Sequence, residues 1–479
     1  MIHSASPARR VRVDFLHLPL IGPLLRWKHS RTAAQLVLFA LAAAIIVDGI
    51  FGSPLAAKNV ATVSAWVHYR GLVVLALLLA GNLFCAACPF MLPRKLAKWL
   101  GRPTQRWPQA LRNKWLALAG LLAIVYSYEL FDLWASPWWT AWLTVAYFAV
   151  AFVLEAFFTR NSFCLYVCPL GTFNFLYSTI SPLQITARNH DVCRDCVGHE
   201  CINGSSTQQG CQLELFVPTI QSNLNCTLCL DCAKACPYDN VALAARVPGN
   251  ELFRQTWRNR LDLALLAIVA AFIALGNAFG MTPPVYVLEQ QLAGLLNTNS
   301  EALVLGLIYL GGAVVAPLLL VYLAAWLSRV LTRGGPNRNI SLNRLVMRHA
   351  YSFVPLGFAI WFAHYLFHFL IGAMTIVPAF QTFFQRTLQW PILGEPNWQL
   401  ATVGVPTVAT IQMWQSIITY GGLLAAVALS LQAATTAQQD RRRALIEALP
   451  WLIVLIGLAL ASGATFLLPM EMRGSSLGG

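Results

Sequence analysis

The sequence predicts an all-α polytopic membrane protein with one polar, cysteine-rich insertion, and three observations carry that prediction. The 479 residues are 57% hydrophobic and only 11% charged, with a mean hydropathy of +0.60. A soluble domain carries roughly 25% charged residues, so most of this chain must face lipid. Nine apolar runs recur along it, each near the roughly 20 residues that a helix needs to cross the hydrocarbon core. The 33 lysines and arginines, which leave a net charge of +14, fall in short clusters between those runs. Such clustering is a topology signal and not the continuous basic stripe that a nucleic-acid groove requires.

Residues 1–32 are basic and precede the first run at 33–52, which reads as an uncleaved span. Arg9 and Arg10 suggest a twin-arginine export signal, but Arg12 and Asp14 interrupt the context and the apolar run begins well downstream. The other runs lie near 71–90, 115–134, 138–158, 261–280, 302–328, 350–376, 408–432 and 449–468. Counted alternately from an inside N-terminus, the inner connections hold 29 of the 33 basic residues and the outer ones 4. The positive-inside rule then predicts a bacterial inner (cytoplasmic) membrane protein of about nine transmembrane helices, N-terminus cytoplasmic and C-terminus periplasmic. Glu155, Asp48 and Asp262 fall near span ends, where a charge is expected to reach water.

The one long inner connection is 159–260, and its middle, 185–250, is polar and rich in Asn, Asp, Gln and Cys. The expected domains are therefore a four-helix membrane region over 1–184, a compact cytoplasmic domain over 185–250 and a five-helix membrane region over 251–479. The longest outer connection, 377–407, carries Trp390 and Trp398, expected as interfacial anchors rather than as a docking surface.

Cys226, Cys229, Cys232 and Cys236 stand in the run C-T-L-C-L-D-C-A-K-A-C-P. The spacing C-x2-C-x2-C-x3-C-P is that of bacterial ferredoxins, in which three thiolates wrap one 4Fe–4S cluster and the fourth serves a neighbour. Zinc sites more often show two well-separated pairs. A looser set, Cys193, Cys196, Cys201 and Cys211, lies just upstream. Exchange of the outlying ligands assigns Cys193, Cys196, Cys201 and Cys236 to one cluster, and Cys226, Cys229, Cys232 and Cys211 to the other. The insertion is thus expected as a two-cluster ferredoxin-like domain.

Four cysteines remain, in F-C-A-A-C-P-F (Cys85, Cys88) and F-C-L-Y-V-C-P-L (Cys164, Cys168). Both pairs follow a span on the same expected side, and both end in Cys-Pro. They could pack like alanines; the shared ending points instead to one redox or metal site, either a third iron–sulfur cluster, a zinc or a dithiol–disulfide couple. The basic run Arg94, Lys95 and Lys98 is expected to favour their ionised form.

On these paired Cys-Pro motifs and the ferredoxin run behind them, the first 260 residues resemble the NapH/NosR/CcoG group of membrane polyferredoxins. The resemblance implies electron transfer between the quinone pool or a cytoplasmic donor and a periplasmic or membrane redox partner, or support of copper-enzyme maturation. The chain departs from the group in having C-x2-C-P in its first pair and five extra C-terminal spans. It lacks any stretch resembling an outer flavin-binding domain or a C-terminal β-domain.

Those extra spans offer one candidate site, His364 and His368 in W-F-A-H-Y-L-F-H-F-L. Spacing i, i+4 places both imidazoles on one helix face. A quinol site, copper or another metal, haem b with a second helix, and hydrogen bonding between spans all fit. The expected partners are membrane lipid and a quinone or a redox protein, with no nucleic acid. The leading function is electron transfer through two 4Fe–4S clusters. The rival is an assembly factor that reduces copper or thiols for a metalloenzyme, and a purely structural anchor is disfavoured by eight ordered thiols. No phosphate-binding loop or hydrolase triad stands out.

Overall fold

The computed structural model describes residues 13–257, 260–332, 340–438 and 440–470. The Arg9–Arg10 pair and the C-terminal residues 471–479 lie outside the described residues. Among the described residues, eight helical runs are long and apolar enough to cross a membrane. In chain order they are α1 (Ser30–Phe51), α2 (Val60–Leu79) and, after the shorter α3 (Trp115–Leu130), α4 (Pro137–Phe157), α5 (Leu261–Phe279), α6 (Glu301–Leu331), α7 (Leu342–Thr387), α8 (Val408–Ala437) and α9 (Arg441–Leu467). The chain is therefore an all-α polytopic membrane protein.

The run expected as a span at 115–134 is helical for only 16 residues. At a rise of 1.5 Å per residue that is about 24 Å, against a hydrocarbon core of about 30 Å. The helix stops because Phe131 leaves helical geometry and Asp132 takes a left-handed φ of 42°.

The chain folds into two compact units, each assembled from three stretches of sequence. The first comprises 1–42, 76–112 and 147–256. Its cysteine-rich part is stapled by a two-stranded antiparallel sheet, β1 (Leu183–Ala187) and β2 (Val241–Ala245), in which Leu183 faces Ala245 and Ala187 faces Val241. Leu16, Ile185, Val217, Leu228, Leu230, Val241 and Leu243 form the small core around Cys226 and Cys232. So short a segment buries little apolar area, and polar clamps supplement it. The buried Glu251 pairs with Arg246 and accepts from the Asn223 N–H at 2.8 Å and from the Ser222 hydroxyl. Arg246 also donates to the carbonyls of Ser178, Thr179 and Ser181.

The second unit comprises 43–75, 113–146 and 257–479. Here α5 and the central stretch of α7, Phe353–Gly372, pack face to face, and Trp361 Nε1 donates to the Ala270 carbonyl at 3.0 Å. Helix α8 lies against the same stretch. A Cβ added to Gly422 would fall 2.3 Å from that of Ala359, so glycine is what permits the backbones to approach. Gln415 Nε2 donates to the Ala363 carbonyl across this contact at 3.2 Å.

Candidate metal centre

The run from Cys226 to Cys236 begins as a coil in which two leucines are held in conformations that leucine ordinarily avoids. Leu228 and Leu230, beside Cys229, have φ of 54° and 63°. Left-handed backbone at a non-glycine residue costs on the order of 1–3 kcal/mol and persists where surrounding structure dictates it, typically at functional sites. The coil brings the backbone of Leu228 close to Cys226, those of Leu213 and Leu215 close to Cys211 and that of Val217 close to Cys201.

The eight thiols of this segment fall into two groups of four. Cys193, Cys196, Cys201 and Cys236 line one cleft, together with Glu200, Phe216, Tyr238 and Asn240. Asn240 Nδ2 donates to Cys193 Sγ at 3.1 Å and its N–H to Cys236 Sγ at 3.4 Å. Cys211, Cys226, Cys229 and Cys232 form the other group, every pair within electrostatic reach. Cys236 thus leaves its own run to join the upstream set, and Cys211 does the reverse. Burial pushes the Cys226 thiol up to about 12 and that of Cys232 well above its usual value. Thiolates in such a place need a bound cation to offset the lost hydration.

Cys85, Cys88, Cys164 and Cys168 come together in the same unit, again with every pair within electrostatic reach. Burial lifts Cys85 to about 11, Cys88 to about 12 and the other two well above the ordinary thiol value. Arg94 and Lys98, expected to favour the ionised form, pair with a carboxylate. Arg94 donates to Glu155 at 2.7 Å, and Lys98 lies 3.8 Å from the same oxygen. The cation within reach of Cys88 and Cys164 is Arg31. Glu155, Asp48 and Asp262 are buried rather than in contact with water. Asp48 accepts the Val60 N–H at 2.7 Å, and Asp262 takes the Arg260 guanidinium.

Two residues at this site were missed in the sequence, although a signal was there. Asn82 and Asn161 each stand three residues before the first cysteine of a pair, in N-x-F-C. Each side-chain carbonyl accepts that cysteine's N–H, at 3.4 Å for Cys85 and 3.2 Å for Cys164. Among the described residues, no three His, Cys, Asp or Glu side chains converge closely enough to hold a single metal ion. A cube suits spread-out thiolates better, because each of its four irons takes its own ligand.

In the second unit, His364 and His368 are buried on one face with ring centroids 4.9 Å apart. Among the described residues, neither nitrogen of His364, nor Nε2 of His368, has a hydrogen-bond partner. Arg70 lies within electrostatic reach of both, enclosed by the rings of Trp66, Tyr128 and Tyr365 at 4.6, 4.2 and 5.0 Å. The ring nitrogens of His68 meet the carbonyls of Val63 and Ala373 at 3.0 and 2.9 Å.

No protein-family model matches the chain, and no solved structure matches it significantly. Over 133 residues the chain is 28% identical to the methylamine utilization ferredoxin-type protein MauN of Paracoccus denitrificans (strain Pd 1222), covering 25% of this chain and 47% of MauN. Over 85 residues it is 29% identical to YccM of Escherichia coli (strain K12), assigned to electron transport by name, covering 18% of this chain and 22% of YccM. The matched part spans about half of the first relative and about a fifth of the second. The likeness is thus to ferredoxin-type and electron-transport proteins, and it does not single out the NapH/NosR members.

Proposed function

We propose that this chain is a membrane-bound electron carrier holding two 4Fe–4S clusters. It passes electrons between the quinone pool or a cytoplasmic donor and a periplasmic or membrane redox partner. The observation that carries this reading is the sorting of eight thiols into two groups of four, with Cys236 and Cys211 exchanged between their runs. The partial likeness to a ferredoxin-type protein and to an electron-transport protein supports it. Such clusters accept and release one electron at a time. The chain's own contribution is to bury the sulfurs, donate N–H groups to them and hold the coil in its strained shape, all of which tune the potential.

The test uses anaerobically purified full-length protein. Cys196→Ser and Cys229→Ser should each remove about four irons and four sulfides, with loss of a different low-temperature EPR signal. Zinc in place of iron, or one signal lost in both variants, would overturn the reading.

A further inference from the structure

We infer that Cys85, Cys88, Cys164 and Cys168 hold a third iron–sulfur cluster, linked through Asn82 and Arg31 to the group formed by Cys211, Cys226, Cys229 and Cys232. The inference relies on the proposed function only for the electron donor; the site itself stands on its own geometry.

The two segments that supply the thiols are built alike. Each opens with a buried asparagine capping the first cysteine's N–H, Asn82 for Cys85 and Asn161 for Cys164. In each, the second cysteine is the residue before a new helical segment whose first position is proline, Pro89 or Pro169. In the second segment the Gly171 N–H turns back to Cys168 Sγ, whereas Cys88 caps its segment without such a bond. The Gly171 contact measures 3.1 Å, and Asn174 Nδ2 adds one to Cys85 at 3.5 Å. The second segment has one more residue between its cysteines, and it forms a π-helical turn over Phe163–Val167. Such a turn absorbs a single inserted residue and leaves the flanking geometry in place. Two unlike spacings thus bring both thiol pairs to one place.

A neutral thiol accepts hydrogen bonds weakly, whereas a thiolate accepts them strongly. Donors turned onto sulfurs buried this deeply therefore suit thiolates neutralised by a metal-containing group. None of the four cysteines is in a disulfide. Four thiols match a four-iron cluster, each iron of which takes its own ligand.

The links to the neighbouring group are specific. Asn82, whose carbonyl caps Cys85, donates through Nδ2 to the Cys226 carbonyl at 3.3 Å. Arg31 donates to the Ala86 carbonyl at 3.2 Å, pairs with Asp231 and reaches Gln212 at 3.1 Å. Its charge acts on Cys164 and on Cys229 alike. Two thiolate-ligated clusters are each anionic, and a shared guanidinium offsets both. The step this permits is the transfer of one electron from the cluster of the Cys211 group, which is oxidised by one electron, to the third, which is reduced by one. No bond forms or breaks.

Iron and acid-labile sulfide should be counted in anaerobic full-length protein and in the variant Cys88→Ser/Cys168→Ser. We expect about twelve of each in the wild type, as three four-iron clusters require, and about eight in the variant with both ferredoxin EPR signals kept. About eight in the wild type, with zinc or free thiols at the four cysteines, would overturn the third cluster and leave the proposed function standing. No iron in either protein would overturn both. Should the variant fail to fold, the wild-type count and its Mössbauer spectrum decide alone.

Discussion

Arg31 and Asp231 form a pair whose side chains are only 10% and 5% exposed. Breaking such a pair by removing one partner costs about 3–5 kcal/mol, because the other charge is left buried and uncompensated. Arg31→Gln is therefore expected to destabilise the first unit by that order. It should also lower the reduction potentials of the clusters proposed beside it, since a lost positive charge disfavours the added electron. Redox titration followed by EPR checks the sign, and Arg31→Lys should recover most of the potential while losing the forked contacts to Ala86 and Gln212. Potentials unchanged in Arg31→Gln would exclude its electrostatic role. Glu251→Ala strands Arg246 in the same manner and also frees the Asn223 N–H. It should cost about 3–5 kcal/mol and hasten iron loss to a chelator, because bound metal and the folding of this segment are coupled. Equal chelation rates would mean that the clamp does not hold the cluster-bearing segment.

Among the elements, what could be read in advance depended on whether the signal was local. The apolar runs could be read because lipid demands an unbroken stretch of apolar residues, and the sorting of eight cysteines into two groups because their spacing is a local signal. The left-handed leucines at 228 and 230 could not, because nothing in leucine forecasts a positive φ; the surrounding fold imposes it. The buried Glu155 was misread because its neutralising partner Arg94 lies 61 residues away in sequence. The central stretch of α7 leads to a further prediction. His364 and His368 are buried with three ring nitrogens unpartnered. Replacing both with leucine removes polar atoms that no hydrogen bond offsets, so thermal stability should not fall. Iron content should stay the same while cluster reduction by quinol slows, which stopped-flow absorbance would measure. An unchanged rate would leave the pair with a packing role, and a lost visible α-band would reveal haem.

At the scale of the whole molecule, the order of the sequence hides the division into two units, because α1, α2 and α4 each contribute residues to both. A linear reading of domains follows the composition, whereas the fold groups residues that are distant in the chain. The charge pattern works differently, since it acts during insertion and depends only on which connections carry lysine and arginine. That pattern leads to the last prediction. With 29 of the 33 basic residues on alternate connections, the segment around Asn250 should be cytoplasmic and Gly479 should lie on the opposite side. The short helix α3 is the weak point, since about 24 Å of helix spans a core of about 30 Å only with local thinning of the bilayer or with flanking residues helping to span it. Reporter fusions after Leu111, after Ser136, after Asn250 and after Gly479 separate the cases. If α3 crosses, the reporters after Leu111 and Ser136 differ and those after Asn250 and Gly479 differ. If α3 does not cross, the first two agree, every later connection changes side, and the basic connections after α4 fall outside. The positive-inside bias argues against that second pattern: the connection 159–260 alone holds eight lysines and arginines, including Arg160, Arg188, Arg194, Lys234, Arg246 and Arg254.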